Sequence, residues 1–153
     1  MMKLLTLGRA ALATALAVTA LGGVAATSAQ AAAGCSGASC VGKNPATMGC
    51  TADQTILERV RIDSYLEFQL VHSAACAARW GAFKVSTTGS AGKVTLTETR
   101  QVKTPYGWYK NGEEWVVADL SKKGTTRTEM NRNTGDDRHR VCASGFGCTS
   151  WRS

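Results

Sequence analysis

The chain has 153 residues with 18 Lys+Arg against 11 Asp+Glu, a formal net charge of +7, 44% apolar and 19% charged residues, 16 Gly, 2 Pro and 6 Cys. This balance fits one globular domain and excludes collagen-like, coiled-coil and low-complexity architectures. Outside the amino-terminal run no apolar stretch is long enough to span a membrane, and the sequence holds no nucleotide loop, metal cage or hydrolytic triad.

Lys3 and Arg9 precede an Ala/Leu/Val stretch over residues 10–25, and Ala29-Gln30-Ala31 places small residues where a signal peptidase reads. The sequence therefore predicts a signal peptide over 1–31, with Ala33 as the alternative cleavage point, and a single secreted β domain over 32–153. Losing Lys3 and Arg9 leaves an excess of +5 on 122 residues, so the basic character belongs to the exported part. Lipid attachment at Cys35 is the rival reading of Ala32-Ala33-Gly34-Cys35. It places Ala32 where a larger aliphatic is expected and leaves five cysteines, an odd number.

Cys35, Cys40, Cys50, Cys76, Cys142 and Cys148 all follow the cleavage site, which reads as three disulfides in an oxidising compartment. Spacing leaves the connectivity open; proximity favours 35–40, 142–148 and hence 50–76, while the alternative ties one terminus to the other. Zinc is the competing use of clustered cysteines, but the x4 and x5 gaps fit its usual short spacings poorly.

Residues 34–54, rich in Gly, Ser, Ala and Thr with Asn44-Pro45, read as an irregular arm stapled by cysteines. Period-two alternation from Thr55 predicts a strand over 55–62, a tight connection at Asp63-Ser64 and a second strand through His72. Alanine-rich residues 73–80 predict one short helix ending at Gly81. Strands then resume at Phe83/Val85 and Val94/Leu96 around a turn at residues 89–92. Asn111-Gly112 is the preferred two-residue hairpin loop and predicts Lys110 facing Glu113 and Trp108 facing Trp115. Tyr106, Trp108, Trp115 and Val117 then share one face. Residues 121–140 read as strand, turn, strand around Asn133–Asp137. The fold expected is all-β, a small disulfide-stapled barrel or sandwich of six to eight strands with one short helix.

Cys35-x4-Cys40, Gly42-Lys43-Asn44-Pro45, Gly49-Cys50, Ala52-Asp53, Leu70-x5-Cys76-x-Ala78-Arg79-Trp80 and Cys142 together resemble the YjfA-like secreted proteins of Gram-positive bacteria, a family of unknown function. The likeness covers nearly all of residues 35–148; Asn44 stands where an Asp is expected before the Pro. It implies secretion and a small disulfide-bonded fold, and brings no catalytic residues.

His72 and His139 are the only histidines; a histidine pair could cleave RNA, but the ordinary readings are a half-buried structural ring and a solvated turn over 136–140. Asp53, Asp136 and Asp137 lack ligand spacing for a metal. Trp80 reads as core. Tyr106, Trp108 and Trp115 are candidate binding residues, as sugar platform or partner anchor. Arg132, Arg138 and Arg140 join them because six of the 16 exported cations (Lys122, Lys123, Arg127 and these three) fall within the 19 residues 122–140. The expectation is a non-catalytic secreted binding protein near the cell envelope, with a cell-wall polyanion, a glycan or an extracellular protein as partner and no cofactor. The alternatives are an inhibitor presenting residues 143–146 to a secreted hydrolase, and a small nuclease-like hydrolase.

Overall fold

A computed structural model describes residues 32–88 and 91–153. The signal peptide expected over 1–31, and residues 89 and 90 of the expected turn, lie outside the described residues. Nine strands occur among the described residues: β1 Thr55–Arg61, β2 Leu66–Ser73, β3 Ala78–Val85, β4 Lys93–Thr104, β5 Gly107–Asp119, β6 Gly124–Arg127, β7 Asn131–Arg132, β8 Asp137–Ala143 and β9 Gly147–Cys148. They form two antiparallel sheets, one in the order β1-β2-β3-β6 with β7 also on β3, the other in the order β5-β4-β8-β9.

The all-β, disulfide-stapled expectation holds, and the arrangement is a sandwich. Alternation sends Leu66, Phe68 and Leu70 of β2 and Phe83 and Val85 of β3 inward, where they meet Val94, Leu96, Ala118 and Val141 of the other sheet in one buried cluster. Burial of each such side chain contributes about 1.5–3 kcal/mol. The sheets approach closely at Gly81, where a Cβ would sit 3.1 Å from both Leu96 Cδ2 and Val141 Cγ1.

The opposite face of β3 is covered by the arm. Ala78, Trp80 and Ala82 pack with Val71 and Met130 beneath Cys35, Cys40, Cys50 and Cys76. The bridges are Cys35–Cys40, Cys50–Cys76 and Cys142–Cys148, the pairing that proximity favours.

Two local expectations fail. The helix over 73–80 does not form: residues 74–77 are a turn and β3 already begins at Ala78. Alanine propensity is worth only a few tenths of a kcal/mol per residue, whereas Ala78 to Phe83 are all buried in a strand paired on both sides. The short helix is instead one 3₁₀ turn at Gly37–Cys40, in the arm where none was expected.

The hairpin expected at Asn111-Gly112 is also absent, because β5 runs straight through it. The reversal lies at Pro105-Tyr106, between paired Thr104 and Gly107. Trp108 faces Lys103 and Trp115 faces Thr97. Asn111 is the extra residue of a β-bulge, since Arg100 pairs with Gly112 and Gln101 with Lys110. Gly112 is required by close approach: a Cβ there would collide with the Asn131 side chain.

Candidate functional site

The bulge decides which residues share the exposed face of the second sheet. In an unbroken strand Trp108 and Trp115, seven positions apart, point to opposite faces. The extra residue at Asn111 resets the alternation, so Trp108 and Lys110 point the same way as Glu113, Trp115 and Val117. The shared face inferred for the two indoles is therefore correct, by a different route. Lys110 Nζ and Glu113 Oε2 are paired at 2.8 Å, along the strand and not across a turn.

Directly opposed residues of paired strands lie on one face, and the β4–β8 register sets Gln101 beside Arg138 and Thr99 beside Arg140. Trp108, opposite Lys103, stands one row from Arg138. The carboxy-terminal segment completes the array. His139 N donates to Arg152 O at 2.8 Å and Arg152 N to His139 O at 2.9 Å, a bridge that flanks Arg138 and Arg140 with Trp151.

The result is a stack of alternating guanidinium and indole groups. Arg138 Cζ lies 4.3 Å from the Trp108 ring centroid and 4.7 Å from that of Trp151, and Arg140 Cζ lies 4.5 Å from Trp151. Each contact is worth about 0.5–1 kcal/mol at an exposed site. Arg138 Nε also donates to Gln101 Oε1 at 2.9 Å, so the half-buried guanidinium is held between two rings and an amide. No carboxylate pairs with either arginine among the described residues. Trp108 is 38% exposed and Trp115 65%.

The inner face of the same strands carries the opposite arrangement. Glu98, Arg100, Asp137 and His139 are buried at one end of the sandwich interior, beyond Leu96 and Val141. Arg100 Nε meets Asp137 Oδ2 at 2.7 Å; His139 Nδ1 meets Glu98 Oε1 at 2.6 Å, with Nε2 3.5 Å from Asp137 Oδ1. Asn131 Nδ2 donates to Glu98, and the Thr134 backbone N–H to Asp137. Burial alone would raise the Asp137 carboxyl, but the His139 ring facing it and the hydrogen bond from Arg100 hold it well below the ordinary carboxylate range. Burial opposes charge on His139 as well, yet the Asp137 and Glu98 carboxylates lift it above its ordinary value.

The sequence-selected residues thus divide. Trp108, Trp115, Arg138 and Arg140 come together. Tyr106 projects fully exposed from the β4–β5 tip, and Arg132 sits on β7 of the other sheet, beside a groove with Val41 and Asn111. Arg127 lies on β6, and Lys122 pairs with Asp119 at 3.6 Å, so the cations after residue 120 are spread over both sheets. Residues 136–140 are not a solvated turn, because Asp137 and His139 are fully buried. His72 occupies the same end of the interior, its ring 3.3 Å from Asn133 Nδ2; burial, then Arg79, lower its basicity. Both nitrogens of His139 face carboxylates. Trp80 is core, as expected.

Trp151 was missed as a member of the exposed array, and Glu98 and Arg100 as interior groups. Continuing the Val94/Leu96 alternation by two steps would have placed the latter pair inside.

Residues 38–139 match the family described as "Protein of unknown function (DUF2690)". No curated protein and no solved structure matches the chain.

Proposed function

The chain belongs to the DUF2690 family of proteins of unknown function, and from that premise we propose that it is a non-catalytic secreted protein that binds an anionic polymer of the cell envelope on the exposed face of its second sheet. One observation carries this reading: Arg138 stacked between Trp108 and Trp151, with Arg140 on the far side of Trp151. Stacking fixes the guanidinium planes without neutralising them, and an immobilised fork loses less entropy on pairing with a phosphate or carboxylate than a mobile one. Trp115, on the same face, offers a sugar-stacking surface beside the charges. Three disulfides and the amino-terminal pattern support export to an oxidising space. The resemblance to YjfA-like secreted proteins runs from Cys35 to Cys142, and most of its residues, from Cys40 to Trp80, lie inside the matched segment, which supports reading the chain as akin to them.

The test is titration calorimetry with poly(glycerol phosphate) and with a neutral glucan. The expected result is binding to the polyanion, weakened in the Arg138→Gln/Arg140→Gln double variant whose circular dichroism is unchanged. Equal binding by the double variant, or none by the native chain, rejects the reading.

A second reading has its own observation. Ser144, Gly145 and Phe146 are exposed between bridged Cys142 and Cys148, and Phe146 N donates to Ala143 O at 3.0 Å, a rigid loop of the kind an inhibitor of a secreted hydrolase presents. A Phe146→Ala variant that loses protein partners while keeping polyanion affinity would support it.

A further inference from the structure

On the other sheet, under the arm, four sulfur atoms form a cluster with a chemistry of its own. The Sγ atoms of Cys35, Cys40, Cys50 and Cys76 all lie within 4.8 Å of one another. Cys35 Sγ and Cys50 Sγ, which belong to different bridges, are 3.9 Å apart. Zinc held by four thiolates at about 2.3 Å in a tetrahedron sets its sulfurs roughly 3.8 Å apart. The gap between the bridges therefore already equals an edge of that tetrahedron. The two bonded pairs must separate, each by less than about 2 Å once its S–S bond is broken, and the other distances between the bridges, all within 4.8 Å, must close by no more than about 1 Å, displacements within reach of side-chain rotation. All four residues are buried, and Val71, Trp80 and Met130 pack around them, so water is kept from the ligands. Three come from the arm and its 3₁₀ turn and Cys76 from the β2–β3 turn, which explains why linear spacing did not suggest a metal site.

We propose that this cluster is an alternative zinc site: in the reduced chain the four cysteines bind one Zn²⁺ as thiolates, and forming the two bridges releases it. Reduction by a small dithiol converts the two protein disulfides into four thiols and two molecules of dithiol into cyclic disulfides; binding Zn²⁺ then releases four protons. In the reverse direction, two molecules of an oxidising disulfide accept the four electrons. The four bound thiolates become two protein bridges, the four sulfurs of the oxidant take up four protons as thiols, and Zn²⁺ leaves. Cysteines enter any chain as thiols, so the reduced chain that the proposal concerns precedes the bridged one. The site is independent of the Trp/Arg face, and either proposal can fail without the other.

The experiment reduces the chain with a dithiol, adds Co²⁺ as an optical probe and then Zn²⁺, and counts bound metal by native mass spectrometry. One ion per reduced chain is expected, with the visible bands of tetrahedral cobalt thiolate, bleached by one equivalent of Zn²⁺. The Cys142→Ser/Cys148→Ser variant should behave identically, and Cys50→Ser should lose the bands. If the reduced chain unfolds without metal, sheet circular dichroism should return on adding Zn²⁺. A reduced chain that takes up no ion, whether folded or not, overturns the proposal, and so does uptake that survives in Cys50→Ser or depends on Cys142 and Cys148.

Discussion

Arg100 and Arg138 sit one residue apart in the β4–β8 register, Arg100 opposite His139 and Arg138 opposite Gln101, yet they live in contrasting surroundings. Arg100 points inward, 2% exposed, against Asp137 and the Asn111 carbonyl. Arg138 points outward between two indoles, with an amide and no acid beside it. The pleat alone separates the two fates. Inside, every charge must be answered by another charge or a hydrogen bond, so the group is committed to structure. Outside, an aromatic stack orients the cation and leaves its charge available to a ligand.

The strongest way to break this comparison is to remove an inner partner. Asp137→Asn leaves Arg100 buried without its counter-charge and should cost about 3–5 kcal/mol, read as a lower urea midpoint. A loss below about 1 kcal/mol would make inner and outer arginines alike. Gly112→Ala pushes a Cβ into Asn131, which holds Glu98, and should cost about 1–3 kcal/mol with the outer face untouched. Native-like stability in that variant would detach the bulge from the inner network.

Acidity sharpens the same contrast. Because the folded-state value of His139 is raised above its ordinary 6.5, its contribution is complete below that pH and is lost as pH rises through the raised value. Asp137, depressed below its ordinary 3.8, contributes above that pH and loses the contribution as pH falls toward its folded value. His72, whose value is lowered, adds a second loss on acidification below 6.5. The urea midpoint should therefore fall on both sides, and His139→Gln should abolish the alkaline decline that Glu98 and Asp137 create. An alkaline limb unchanged in that variant would contradict the assignment. The smallest stability effect belongs outside: Arg138→Gln should cost no more than about 1–2 kcal/mol, since each of its two cation–π contacts is worth about 0.5–1 kcal/mol at an exposed site.

Much of this layout was legible in the residues. Alternation from Thr55 to His72 marks the first hairpin, and short Gly/Ser loops between cysteines mark the bridges. Asn111-Gly112 misled because the dipeptide suits a bulge as well as a turn, and the twelve residues of β4 need a long partner. The turn actually used carries its own signal, Thr104-Pro105-Tyr106-Gly107, with Pro at the second turn position and Gly107 at φ +119. The helix over 73–80 failed because local propensity is outweighed by burial in a central strand. Asp137 and His139 read as solvated because polar residues usually are, and only the register with Glu98 and Arg100 shows otherwise. Trp151 could not be placed from sequence, since a bridge from His139 to Arg152 positions it.

The most direct test of the outer face as a polyanion site is the salt dependence of its affinity. Log affinity for poly(glycerol phosphate) plotted against log salt should fall linearly, and each phosphate contact contributes about 0.7 to the slope on a single-stranded polyanion. The account predicts that Arg138→Gln/Arg140→Gln lowers the slope by about 1.4, while Trp115→Ala weakens binding at every salt concentration and leaves the slope unchanged. Identical slopes in the native chain and the double variant would contradict it.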